Sequence, residues 1–190
     1  GQSAGNGDKM LTEHKDLVEL SKLPKTASEL SYYLAGFADA EGCFSVALKR
    51  QEGTRFGFVL DPVFHVTQHK QNRAVLELYV RRLGCGRIIP KPGQPDTLQF
   101  YTDNRRQLSE KILPFFRKYR LIGKDKDFQN FARIVEGLER KEHADKGKFI
   151  SLVKLAFEMN LEGKQRRYQL DEVLRELSST GSSETIRQTP

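Results

Sequence analysis

The chain has 190 residues and a formal net charge of +7, which is enough for one domain of ordinary size with a real core. The basic excess points to a polyanionic partner, nucleic acid ahead of a membrane surface. No apolar run approaches the roughly 20 residues of a bilayer span, and residues 1–10 lack the apolar segment of a secretory leader. Cys43 and Cys85 are too few for a disulfide framework or a Cys-rich metal site. They fit a reducing, intracellular setting: a bacterial or archaeal cytoplasm or an organelle matrix.

A short helix around Leu17–Leu23 would be stopped by Pro24. Thr26 followed by Glu29 is a capping-box pattern, so the first long helix starts there, runs through 28–41 and stops near Gly42. In 43–51, Phe44, Val46 and Leu48 alternate with Cys43, Ser45, Ala47, Lys49 and Gln51, the period of a half-buried strand. Residues 57–68 form a second strand, joined to the first by the polar link 52–55. Pro62 within it is allowed only at an edge or bulge. Residues 72–86 have apolar residues at helical spacing with Gly84 as the stop, and 87–91 pairs with 97–102 around the turn-rich 92–96.

Helical segments then cover 105–121 (broken or begun anew at Pro114), 125–140, 148–160 and 168–177. The tail after Leu177 has little to bury. The chain thus divides into a peripheral segment 1–25, one domain over 26–178 and a mobile tail 179–190. Its element order predicts an α+β fold, with helices on one face of an antiparallel sheet and the other face open. The strand-strand-helix unit occurs twice, but the acidic helix end only once.

That helix ends on Asp39 and Glu41, although a helix C-terminus is partly negative and disfavours acids. A divalent cation would compensate them. The stretch Leu34-Ala35-Gly36-Phe37-Ala38-Asp39-Ala40-Glu41-Gly42 closely resembles the LAGLIDADG motif of homing endonucleases. Phe37 and Ala38 replace other apolar residues, and Glu41 stands for the second Asp, an acceptable oxygen ligand for magnesium. The resemblance extends from about Ser28 to Arg140. It implies an α-β-β-α-β-β-α endonuclease-like fold whose sheet is a DNA-binding saddle, here with extra C-terminal helices.

The resemblance further implies magnesium-dependent hydrolysis of DNA phosphodiesters, the cation activating water, neutralising charge and stabilising the leaving oxygen. Calcium would be a non-catalytic substitute and manganese an alternative, with no small-molecule cofactor. The implied metal ligands are the Glu41 carboxylate and the Ala40 main-chain carbonyl, with Asp39 as a further candidate. A chain with one motif is expected to be a two-fold homodimer on double-stranded DNA. Leu34, Ala35, Phe37 and Ala38 would meet the second copy, and the small Ala35, Gly36 and Ala40 permit close helix approach. The target would be a long pseudo-palindrome, about 10 base pairs per subunit, cut with a stagger by an enzyme carried in a mobile intron. An RNA maturase on the same fold is the alternative.

Family resemblance also assigns assisting roles. Gln68, just past the second strand, and Lys124, in a later loop, match the residues that organise the nucleophilic water; Lys126 competes with Lys124, and Asn72 with Arg73 as a neighbour of the scissile phosphate. His65 and His69 lack zinc-like spacing. The outward strand positions Ser45, Ala47, Lys49, Gln51, Asp61, Val63, His65, Arg87, Ile89, Lys91, Thr97, Gln99 and Tyr101 suit base-edge reading in the major groove. Lys49, Arg50 and Arg55 at the hairpin tip, Lys70 after the second strand and the cluster Arg117, Lys118 and Arg120 are expected near DNA.

Overall fold

The computed structural model describes residues 24–159 and 168–180. The expected helix at Leu17–Leu23 and most of the tail lie outside the described residues. Helix α1 (Ala27–Glu41) begins with the capping box: Thr26 Oγ1 accepts from the Glu29 amide at 3.1 Å, and Glu29 accepts from the Thr26 amide at 3.0 Å. Gly42 ends the helix, but not through a left-handed turn: its φ is −82° and it is already the first residue of β1 (Gly42–Arg50). Glycine is needed there for clearance, since a Cβ would lie 2.5 Å from the Ala38 carbonyl oxygen.

β1 pairs antiparallel with β2 (Phe58–His69), β2 with β4 (Gln94–Thr102) and β4 with β3 (Arg87–Lys91), giving the order β1-β2-β4-β3. β2 is therefore interior, yet Pro62 is tolerated because pairing with β4 begins only at Phe64. The β3–β4 turn is tighter than the sequence predicts. It is Pro92-Gly93, with Gly93 at φ +73°, so β4 starts at Gln94.

Helix α2 (Arg73–Leu83) follows a 3₁₀ turn, Lys70–Asn72, and ends on Gly84 in the left-handed conformation, φ +64°. Pro114 does not break the next helix. Segments α3 (Arg105–Gln107) and α4 (Leu113–Lys118) are joined by a π-helical turn, Leu108–Ile112, in which the Leu113 amide donates to Leu108. Widening the turn accommodates a residue with no N–H to give. Helices α5 (Asp125–Glu139), α6 (Lys146–Met159) and α7 (Leu170–Ser179) complete the described chain.

The helices lie on one side of the sheet, where Phe44, Val46, Leu60, Phe64, Val66 and Phe100 are buried. Phe44 anchors an aromatic core, stacked on Phe64 at 4.7 Å and edge-on to Phe116 at 5.3 Å. The buried Tyr79 hydroxyl of α2 donates to the Leu34 carbonyl at 2.6 Å and ties α2 to α1. Among the described residues no helix is long and apolar enough to cross a membrane.

Candidate active site

The C-terminal end of α1 is compensated from within the chain. The loop between α4 and α5 turns its amides onto Asp39: Lys124 donates to Oδ1 at 2.8 Å, and Gly123 and Ile122 to Oδ2 at 2.8 and 3.1 Å. The Lys124 ammonium continues to the helix end and donates to the carbonyls of Asp39 at 2.5 Å and Ala40 at 3.0 Å. A cation thus sits where the last carbonyls lack helical partners and the dipole is negative. Partial burial alone would raise the Asp39 pKa, but the amides of Gly123, Lys124 and Ile122 and the Lys124 charge outweigh it and hold the carboxyl below its ordinary value. Asp39, the further metal-ligand candidate, has both oxygens occupied in positioning Lys124.

Glu41 differs. Its carboxylate is exposed and takes no hydrogen bond or ion pair among the described residues. An unpartnered acid and a main-chain carbonyl are hard oxygen donors, the set that suits magnesium when water and phosphate oxygens complete the shell. Among the described residues no three His, Cys, Asp or Glu side chains cluster closely enough to hold an ion by themselves. The donor set therefore fits magnesium shared with a phosphate, not an all-protein cage.

Gln68 is half-buried near the end of β2, two residues past Val66, which pairs with Gly42 at the start of β1. Its Oε1 accepts from the His69 amide at 2.7 Å and from Asn72 Nδ2 at 3.4 Å. Asn72 thereby shares the Gln68 corner, whereas Arg73 is turned along α2 onto Glu77 at 2.9 Å. Of the two lysines, Lys124 is brought to α1, while Lys126 is exposed on the first turn of α5. His69 Nδ1 caps the 3₁₀ turn through the Gln71 amide.

The strand register places Ser45, Ala47, Lys49, Asp61, Val63, His65, Thr97, Tyr101, Arg87 and Ile89 on the sheet face opposite the helices. The same register keeps Cys43 on this face and adds Thr67 and His69, which the alternation rule would have supplied had it been run to the end of β2. Lys91 ends β3 at a bulge. Ion pairs link Lys49 to Asp61, Lys70 to Asp96, and Arg87 to Asp103 at 3.0 Å, and Arg87 also lies over Tyr101 at 5.0 Å. Burial, with Lys91 nearby, lowers the His65 pKa, and its Nδ1 lies 3.2 Å from Gln99 Nε2.

Other expected contacts are engaged within the chain or lie off the strands. Gln99 falls on the open face as expected, opposite Thr67 and Ile89, but is buried there, held by His65 and by Thr67 at 3.3 Å. Arg55 is in the exposed turn expected at the hairpin tip, and Gln51 joins that turn beyond β1, not on a strand. Arg50 falls on the helix side of β1, in phase with Val46 and Leu48, and pairs with Glu176 of α7. Arg117 and Arg120 are engaged by Glu136 at 2.6 Å and Asp125 at 3.0 Å.

The expected helix–helix contact face also needs correction. Leu34 and Ala38 are 0% exposed and Ala35 2%, all inside the chain's own core. The outward face of α1 is Tyr32, Tyr33, Gly36 and Ala40, with Phe37 half-buried at its margin. Counting small residues cannot separate the two faces of a helix that is small on both. Ile122 is 92% exposed, in the loop held to the end of α1, and no sequence signal marked it.

A model of the LAGLIDADG endonuclease family matches residues 34–135. The chain is 34% identical over 144 residues to DNA endonuclease I-CeuI of Chlamydomonas moewusii, spanning 74% of this chain and 66% of that protein. It is 37% identical over 114 residues to homing endonuclease I-ApeII of Aeropyrum pernix, spanning 60% of this chain and 67% of the relative. The chain thus spans about two thirds of these curated relatives' length. In three dimensions it resembles the archaeal intron-encoded homing endonuclease I-Vdi141I complexed with DNA, with TM-score 0.75, 40% identity and coverage of 80% of this chain and 96% of the other. I-CeuI complexed with DNA gives TM-score 0.74 at 28% identity, covering 82% of this chain and 79% of that one.

Proposed function

This chain belongs to the LAGLIDADG endonuclease family, and from that premise we propose that it is a site-specific DNA endonuclease of the intron-encoded kind. The observation that carries the reading is the end of α1. There an exposed Glu41 carboxylate, without a partner among the described residues, stands beside a lysine that the Asp39–loop bonds deliver. Such an acid has no structural use at a negative helix end, and its exposure leaves it free for a ligand. The relatives' names and their DNA complexes support a DNA substrate, and no observation favours the RNA-splicing alternative.

Glu41 would hold magnesium, with the Ala40 carbonyl, whose two lone pairs would be shared between the ion and the Lys124 ammonium, as the second protein donor. When bound, the ion supplies activation of water and neutralisation of charge at a phosphate. Asp39 fixes the loop so that Lys124 stays at the helix end, adding positive charge where a phosphate would approach. Gln68 offers its amide nitrogen to water, its oxygen being held by the His69 amide and Asn72. The open sheet face would lie in the major groove with its mixed Lys, Arg, His, Thr and Tyr side chains, which suit base edges better than phosphates alone.

One Glu41 serves one strand, so cutting both requires two copies related by a two-fold axis. The outward face of α1, with Tyr33 and Gly36, suits that contact, and the exposed Ile122 extends it. The test is selection of duplexes from a random pool in calcium, followed by magnesium, for wild type and Glu41→Gln. Wild type is expected to enrich a pseudo-palindrome and cut it, and Glu41→Gln to bind it without cutting. Cleavage by Glu41→Gln, or binding without cleavage by wild type, refutes the assignment.

A further inference from the structure

Arg50 lies at the opposite end of the reading surface from Glu41. β1 runs nine residues from Gly42 to Arg50, about 30 Å at about 3.3 Å per residue, or about nine base-pair steps along a duplex. There the guanidinium is gripped from the helix side. Its Nη1 and Nη2 donate to Glu176 Oε2 and Oε1 at 2.8 and 2.9 Å, and the group lies 4.8 Å from the Phe58 ring centre and 5.5 Å from that of Tyr168. Phe56 of the connecting turn stacks on Phe149 of α6 at 5.6 Å.

The helix that carries Glu176 is packed on the rest of the chain. Val173 and Leu177 of α7 are buried, and the Ser178 carbonyl at its C-terminal end accepts from Lys146 Nζ of α6 at 3.2 Å. The β1–β2 hairpin is thus tied to two helices that lie beyond residues 34–135, the segment the family model covers. A two-pronged ion pair against two aromatic rings fixes direction as well as charge. Being exposed, the pair adds little to global stability; its consequence is where the hairpin points.

Resting on the endonuclease reading, we propose that Glu176, acting through Arg50, is a positioning residue for recognition of the outermost base pairs of each half-site, and that it keeps Arg50 off the DNA backbone. The test measures affinity of the full chain, in calcium, for its selected site and for each single-base-pair variant at several salt concentrations. Wild type, Glu176→Gln and the charge-swapped double variant Arg50→Glu/Glu176→Arg are compared.

Glu176→Gln is expected to lose about fivefold in discrimination at positions about eight to ten base pairs from the cut, with inner positions unchanged. The logarithmic salt slope should steepen by about one as the released Arg50 takes a phosphate. The swapped variant should restore both. An unchanged profile, a loss equal at every position, or no rescue by the swap overturns the proposal. Wild type that neither binds nor cuts any duplex refutes the endonuclease reading, and this proposal with it.

Discussion

Replacing Asp39 with alanine separates a positioning role from a metal-ligand role. The substitution removes the acceptor for the Ile122, Gly123 and Lys124 amides. Hydrogen bonds to a charged acceptor contribute about 1.5–3 kcal/mol when sheltered and less in water, and two of these are exposed. A total of about 2–3 kcal/mol is expected, a fall in Tm of about 4–12 °C for a chain of this size. Asn at this position rescues little, because one of its two heads is a donor facing N–H groups.

The assay is thermal unfolding without any metal, with hydrogen exchange at amides 122–124 as the local readout. Those amides should exchange faster while the core strands keep their protection. If Asp39→Ala melts with wild type in the absence of metal and the loop amides are unaffected, Asp39 does not hold the loop and the reasoning fails. A metal ligand would show the reverse: no change in the metal-free protein and a loss of calcium-induced stabilisation.

The same group predicts a pH dependence. Its folded-state pKa is lowered, so its contribution is complete above the unfolded value of about 3.9 and is lost as pH falls through the folded value. The Tm gap between wild type and Asp39→Ala should close on acidification through that window, and a gap that persists refutes the shift. Gly36→Arg should fold at least as well as wild type, since an added Cβ meets nothing within 4 Å. It should nevertheless sediment as a 21.8 kDa monomer where wild type is a dimer; equal masses for the two proteins refute the proposed contact. Gly42→Ala should cost about 1–3 kcal/mol by overpacking in denaturant titration, because the new Cβ meets the Ala38 carbonyl.

Much of the fold is local and could be read residue by residue. The Thr26–Glu29 capping box, the alternation of Phe44, Val46 and Leu48, and Gly84 as a stop each depend on neighbours within a few positions. Glu41 was legible for the same reason: the motif is contiguous, and an acid at a helix end is anomalous wherever the helix packs. The errors arise where a neighbour is distant. The burial of Gln99 on the open face depends on the strand alongside, and the partner of Arg50 on a helix 126 residues away.

The sequence by itself determined the element order, the sheet's two faces and the acid that carries the proposed chemistry, because turn chemistry and periodicity are short-range. Only the tertiary structure decided which side of α1 is free, since both sides carry small residues and the choice falls to the core that buries Leu34, Ala35 and Ala38 and joins Tyr79 to Leu34. Only the tertiary structure, likewise, revealed Asp39 as the anchor that brings Lys124 to the helix end. Those bonds join residues 83 to 85 positions apart, and no local pattern records a partner that folding alone brings into contact.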